Sequence, residues 1–455
     1  MSETLTLTLW KRVIRAGTWT LGGHAASQIM RLISNLIMTR LLVPEMFGVM
    51  ALANVVMTGL ALFSDIGLNQ GIIQSRRGHD PAYLNTAWTV QILRGMLIWL
   101  VALGIGGALY LLGTLHWLPN DSVYVEPVLP YVFAALSFTA LINGFMSTCL
   151  ATANRNLLLG RVTMIELNSQ LVTISFMVVW ALVDRSVWAL VAGALFGSLF
   201  RVVMSYVSLP GEFNRLHWDK EAFSEIYGFG KWIFLNSILG FLAANGDRLL
   251  LGGMIDSATL GLYSIAFIMA DAVRGVFVKL SSRVALPALS EVARESRPNL
   301  KRTYYRLRIP IDVVTLLAVG LLFSSGDLVI RLLYDERYHA AGHMLEILSL
   351  TLFATRYQLT NQCFMAIGKP RLMVPINIVR LVALFGVTPF AFRWYGLDGA
   401  LWAIAGSALV TLPMTYFLKV KHDLFDFWRE VGLLPLFVVG YVLGHLITPF
   451  VMQYR

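Results

Sequence analysis

The chain has 455 residues, of which 57% are hydrophobic and 14% charged, and its formal net charge is +10. A soluble domain carries about a quarter charged residues, so this composition, with a mean hydropathy of +0.68, excludes a soluble enzyme and indicates an integral membrane protein. The positive surplus then reads as cytoplasmic loops facing anionic lipid, not as a nucleic-acid surface.

The first apolar segment runs from about Thr18 to Leu42. Lys11, Arg12 and Arg15 precede it, and it is too long for the apolar core of a cleavable signal. The second, about Met46 to Ser64, follows a short break at Pro44 to Gly48. Pro44 suits a helix start and Gly48 a close approach. Further segments lie at about Leu84 to Tyr110, Val128 to Ala151, Val162 to Val183 and Val187 to Leu209. In a bilayer the backbone must satisfy its own hydrogen bonds, so runs of this length are expected to span it, with turns at the water boundary. A polar connector, Pro210 to Glu225, leads to a second set at about Phe229 to Leu251, Thr259 to Leu280, Ile309 to Phe323, Met344 to Ala366, Leu372 to Phe392 and Gly399 to Leu418. Asp327 to Ala341 reads as an outer amphipathic stretch. A last apolar run covers about Val431 to Met452.

Loops rich in Lys and Arg fall on every second turn, which places the N-terminus and the connector in the cytoplasm. The expected fold is all-α and polytopic. It has an N-terminal six-helix lobe over 1–209, a cytoplasmic connector over 210–225, a C-terminal six-helix lobe over 226–420 and an extra hydrophobic segment over 421–455. An ungapped alignment of Arg15–Asn54 with Gly228–Phe267 brings Gly17 onto Gly230, Trp19 onto Trp232, Gly48 onto Gly261 and Ala53 onto Ala266. This reads as a duplication in which both halves start on the same side, so the substrate path is expected between them.

Ionisable residues at bilayer depth are costly and face either a hydrated cavity or a partner. Arg31, with Asn35 one turn on, Arg94, Arg274, Arg356 and Arg380 are the candidate lining of a mainly cationic cavity. Asp271 is three residues before Arg274, so those two either pair structurally or serve the site. Asp65, Glu166, Asp247 and Asp271 are candidates for ion coupling or ion pairing. Cys149 and Cys363 lie in apolar runs, so neither a disulfide, a metal site nor a cofactor is expected. No P-loop and no paired carboxylates in a large loop occur, which argues against an enzyme and against ATP as the direct energy source.

Three stretches resemble one family. They are Arg40-Leu41-Leu42-Val43-Pro44-Glu45-Met46-Phe47-Gly48, Phe63-Ser64-Asp65-Ile66-Gly67-Leu68 and, in the second half, Gly261-Leu262-Tyr263-Ser264. Together with the two six-helix lobes, they make the chain similar to the polysaccharide (Wzx-type) flippases of the multidrug/oligosaccharidyl-lipid/polysaccharide (MOP) exporter superfamily. The resemblance implies V-shaped lobes, a central cavity and alternating access. It also implies an undecaprenyl-diphosphate-linked oligosaccharide as substrate, moved from the inner to the outer leaflet of a bacterial cytoplasmic membrane for O-antigen, exopolysaccharide or capsule synthesis. Glycosyltransferases and a glycan polymerase of the same pathway would then be its partners, with membrane lipid around it. A multidrug exporter of the same superfamily, a membrane polymerase or ligase, and a lipid-linked peptidoglycan precursor as cargo are the competing readings.

Overall fold

The computed structural model describes residues 2–64, 67–75, 77–119, 121–156, 158–211, 213–280, 285–295 and 297–453, and every regular element among them is helical. The chain forms two compact units, Met1–Ile238 and Leu239–Arg455. The division falls inside a long helix that begins in the connector at Lys220, beyond the 210–225 stretch read from sequence.

The first unit runs α1 (Ser2–Leu41), α2 (Pro44–Phe63), α3 (Leu68–Gln74), α4 (Pro81–Thr114), α5 (Leu129–Gly144), α6 (Cys149–Arg155), α7 (Leu159–Val183) and α8 (Trp188–Val207). Small residues let these helices approach where lipid supplies no hydrophobic drive. A Cβ on Gly95 of α4 would lie 2.7 Å from the Ala140 carbonyl oxygen of α5. The expected span at 128–151 is bent by 62° between α5 and α6. A bend frees carbonyls that lipid cannot solvate. Gln91 Nε2 answers them by donating to the carbonyls of Asn143, Gly144 and Met146, at 3.2, 3.0 and 2.9 Å. Tyr206 donates to the Phe145 carbonyl at 2.7 Å.

The connector lies along the start of α4. The backbone N–H groups of Arg215, His217 and Asp219 donate to Asn85, Thr89 and Thr86, at 2.9, 3.1 and 3.0 Å. Arg77 clamps it by bridging Asp80, which also caps α4, and Asp219, at 2.7 and 2.8 Å. Those hydrogen bonds from Arg77 hold both carboxyls below their ordinary range.

The second unit contains most of α9 (Lys220–Gly252), then α10 (Ser257–Leu280), α11 (Leu286–Glu295), α12 (Arg297–Leu333), α13 (Ala341–Ser349), α14 (Gln358–Ala366), α15 (Met373–Leu409), α16 (Thr411–Lys421), α17 (Phe427–Val431) and α18 (Pro435–Gln453). Its element order repeats that of the first unit. The alignment that lays Arg15 over Gly228 also lays Pro44, the start of α2, over Ser257, the start of α10. A short helix follows each second span, α3 in one unit and α11 in the other. The fourth span is interrupted in both, here by a 3-10 stretch over Leu350–Tyr357 between α13 and α14.

Two expected boundaries are corrected. The helix beginning at Arg297 does not stop at Phe323 but continues past a break at Ser325 to Leu333, so part of the presumed outer stretch is helical. The spans at 372–392 and 399–418 join at Gly396, whose φ of 61° and ψ of −149° only glycine adopts readily. Among the described residues, seven helices are long and apolar enough to cross a membrane, and the bent pair α5–α6 supplies an eighth. The other expected spans are helical too, in α1, α9, α10 and α13–α14.

The last apolar run is a full helix docked on α12. Gly440 and Gly444, spaced as a small-xxx-small pair, meet the Leu317 and Leu321 backbone, while Gly320 meets Phe437 and Tyr441. Gly440→Leu is expected to cost about 1–3 kcal/mol by overpacking, read as a lower melting temperature and less monodisperse protein in detergent. For the connector, both carboxyls titrate lower in the fold than in the unfolded chain. Its attachment should therefore persist at neutral pH and fail only below the ordinary carboxylate range of about 4, which hydrogen exchange at residues 213–219 would register.

Candidate functional site

A cavity of about 130 Å³ lies within the second unit. Helix α10 supplies Tyr263, Phe267, Asp271 and Arg274, spaced by three and four residues so that one face is presented. Asp247 reaches it from α9, Arg380 from the first part of α15, Thr351 and Thr355 from the 3-10 stretch, and Gln358 from the start of α14. Arg274 pairs with Asp271 at 2.6 Å, and both side chains stay about a third exposed (35% and 38%), so the pair is open to a ligand. Asp247 is buried and accepts a short hydrogen bond from Tyr263. Arg380 Nε is buried with no hydrogen-bond partner among the described residues. Next to the cavity the Arg248 guanidinium lies 3.7 Å over the Phe267 ring.

Four of the residues singled out from sequence therefore converge here: Asp247, Asp271, Arg274 and Arg380. Two arginines face two aspartates, so this cavity is balanced in charge where a mainly cationic one was expected. The others lie elsewhere. Arg31 is exposed on α1, and Asn35 is half-buried one turn on. Arg94 is bonded to the end of α2, donating to the Ser64 hydroxyl at 3.0 Å and the Ala61 carbonyl at 2.5 Å. Glu166 is exposed, 3.9 Å from Arg201, while its neighbour Gln170 exchanges hydrogen bonds with Ser27 of α1. Asp65 lies outside the described residues.

Arg356 departs most from expectation. The sequence places no carboxylate within a turn of it, yet it is fully buried and pairs with Asp312 of α12 at 2.8 Å. Asp312 also pairs with Arg308 at 3.1 Å. Arg308 reaches Glu430 of α17 at 2.5 Å, and the same carboxylate takes the Lys419 ammonium of α16. Tyr305 donates to Glu430 at 2.8 Å, and Tyr304 bonds Thr360 of α14 at 2.8 Å. All five charged groups are at most 1% exposed. Sequence reasoning missed this cluster because Arg308 and Glu430 fall just outside the apolar runs. The i,i+4 spacing of Arg308 and Asp312 was the available signal.

The family described as Polysaccharide biosynthesis protein matches residues 37–343, more than half of the chain. The chain belongs to this family. A relative from Escherichia coli K12, the lipopolysaccharide biosynthesis protein WzxC, is 21% identical over 96% of this chain and 89% of its own length. A Shigella flexneri protein named for O-antigen transport is 22% identical over 88% of this chain and 95% of its own. Among solved structures, the inward closed lipid II flippase MurJ superposes with a TM-score of 0.70 at 12% identity, covering 97% of this chain and 100% of that one. An inward-facing multidrug resistance MATE transporter of the MOP superfamily gives 0.64 at 16% identity, with 87% and 94% covered. This polysaccharide biosynthesis protein is thus a multi-pass helical membrane protein with the MOP fold. Arg356, Arg380, Lys419 and Glu430 lie beyond the stretch that the family matches.

Removing one partner of a buried ion pair typically costs about 3–5 kcal/mol, because the other charge is left uncompensated. Glu430→Gln leaves Arg308, Arg356 and Lys419 with Asp312 as their one carboxylate among the described residues. It is expected to lower the melting temperature far more than Glu166→Gln at the exposed pair, measured side by side in the same detergent.

Proposed function

We propose that this protein moves a diphosphate-linked lipid oligosaccharide from the inner to the outer leaflet of a bacterial cytoplasmic membrane, as a transporter without a catalytic step. The observation that carries this reading is the unpartnered Nε of Arg380, buried beside an accessible Asp271–Arg274 pair in a polar cavity. Family membership and the WzxC relative support the substrate class. A sugar head cannot enter hydrocarbon unaided, since each unpaired hydroxyl costs several kcal/mol. A polar groove removes that barrier while the polyprenyl tail stays in lipid. Arginine offers the diphosphate bidentate contacts, and Arg274 can exchange Asp271 for it. Outward movement of the anion is downhill by about 2.3 kcal/mol per charge per 100 mV with the inside negative.

On this reading Arg274 and Arg380 bind the head group in the second unit, while Arg31 and Asn35 on α1 are separate candidate contacts of the first unit. Asp247 and Asp271 are the carboxylates placed to follow a coupling ion. The basic loops put the N-terminus in the cytoplasm. Glycosyltransferases would supply the substrate and a polymerase would consume it. The two aspartates also suit a cationic drug, the cargo of a multidrug exporter.

The test separates the two. In a deletion strain carrying Arg274→Ala, Arg380→Ala or Arg31→Ala, surface glycan should fall at least tenfold at normal protein level, with lipid-linked repeat units accumulating on the cytoplasmic leaflet. Full export by all three variants would overturn the assignment, and altered drug tolerance with unchanged glycan would favour the exporter.

A further inference from the structure

The buried cluster around Glu430 does not balance. Arg308, Arg356 and Lys419 bring three positive charges, while Asp312 and Glu430 bring two negative ones, and all five side chains are at most 1% exposed. A surplus charge at such depth is costly unless something compensates it. The guanidinium donors repeat the imbalance. Arg308 Nη2, Arg356 Nε and Arg356 Nη1 are buried and have no hydrogen-bond partner among the described residues. The two guanidinium groups are neighbours, since both lie within ion-pair distance of the same Asp312 oxygen, Arg308 Nε at 3.1 Å and Arg356 Nη2 at 2.8 Å. Aromatic faces help only in part: Arg308 lies 4.6 Å from the Tyr357 ring centre and Arg356 5.2 Å from that of Phe353. A ring quadrupole cannot neutralise a full charge.

We propose that this cluster binds one small monovalent anion, chloride in the cell, on the unpartnered N–H groups of Arg308 and Arg356. One negative charge makes the cluster neutral, and a spherical ion accepts from several N–H donors at once. Loss of a proton from Lys419 would correct the charge but leave those donors unanswered. The remaining neighbours contribute no further net charge: Tyr304 and Tyr305 from α12, Tyr357, Thr360 from α14 and Tyr416 from α16 are neutral hydroxyls, and Arg429, 5.4 Å from the Tyr305 ring centre on the partly exposed side, pairs with Asp426 at 3.4 Å. The site is separate from the cavity of Arg274 and Arg380 and does not depend on the cargo. It fastens α12, the 3-10 stretch, α16 and α17, so its ligand acts on the stability of the second unit.

The experiment compares thermal unfolding of the purified full-length protein in sodium gluconate and sodium chloride at equal ionic strength. Chloride should raise the melting temperature of the wild type by several degrees in a saturable way, and bromide should replace it. Lys419→Met leaves two cations facing two carboxylates. It should fold in gluconate and show a much reduced chloride response, because the surplus charge is gone while the donors remain. Wild-type crystals of protein purified and grown in bromide give a readout that needs no variant, an anomalous peak beside Arg308 and Arg356. Identical melting of the wild type in both salts would overturn the site. So would an undiminished chloride shift in Lys419→Met, or bromide-grown crystals without that peak.

Discussion

A charge inside an apolar interior must carry its compensation with it, as a counter-charge, a hydrated space or a ligand. The second unit meets this constraint in two ways. In the cavity, Arg274 and Asp271 pair while staying partly exposed, so their partnership can be exchanged for a ligand at little desolvation cost. In the cluster around Glu430, every charge is sealed, and exchange would need helices to part. Arg356 and Arg380 look alike in sequence, as lone arginines in apolar runs. Their settings are opposite, and only Arg380 lines the cavity.

The backbone obeys the same constraint. Bending the fourth span exposes carbonyls, and Gln91 and Tyr206 meet them in the first unit. In the second unit the interruption takes the form of eight residues of 3-10 helix, longer than such turns usually run. One side of that stretch lines the cavity through Thr351 and Thr355, and the next residues, Arg356 and Tyr357, belong to the sealed cluster. A single segment is therefore shared by the accessible and the inaccessible charges.

Much of the fold was legible because the apolar runs and the loop charges follow directly from lipid as solvent. The offset between the halves was legible as well, down to Pro44 and Ser257 starting equivalent helices. What sequence could not supply was partnership between distant positions. Arg94 reads as a cavity residue until Ser64 and Ala61 are seen to take its guanidinium. Asp312 lies within an apolar run four residues after Arg308, yet its second arginine partner, Arg356, becomes evident only when α12 and the 3-10 stretch pack together. Hydropathy finds where a chain crosses and is silent about which polar groups meet.

Glu430 sits on α17, ahead of α18. The cations it answers, Arg308 and Lys419, are synthesised earlier. Until α17 emerges from the ribosome and swings in, they have only Asp312 to offset them in this cluster. The charge pairing of the second unit is thus completed only when α17 has packed, and a chain that stops short of α17 would leave these helices electrically unfinished.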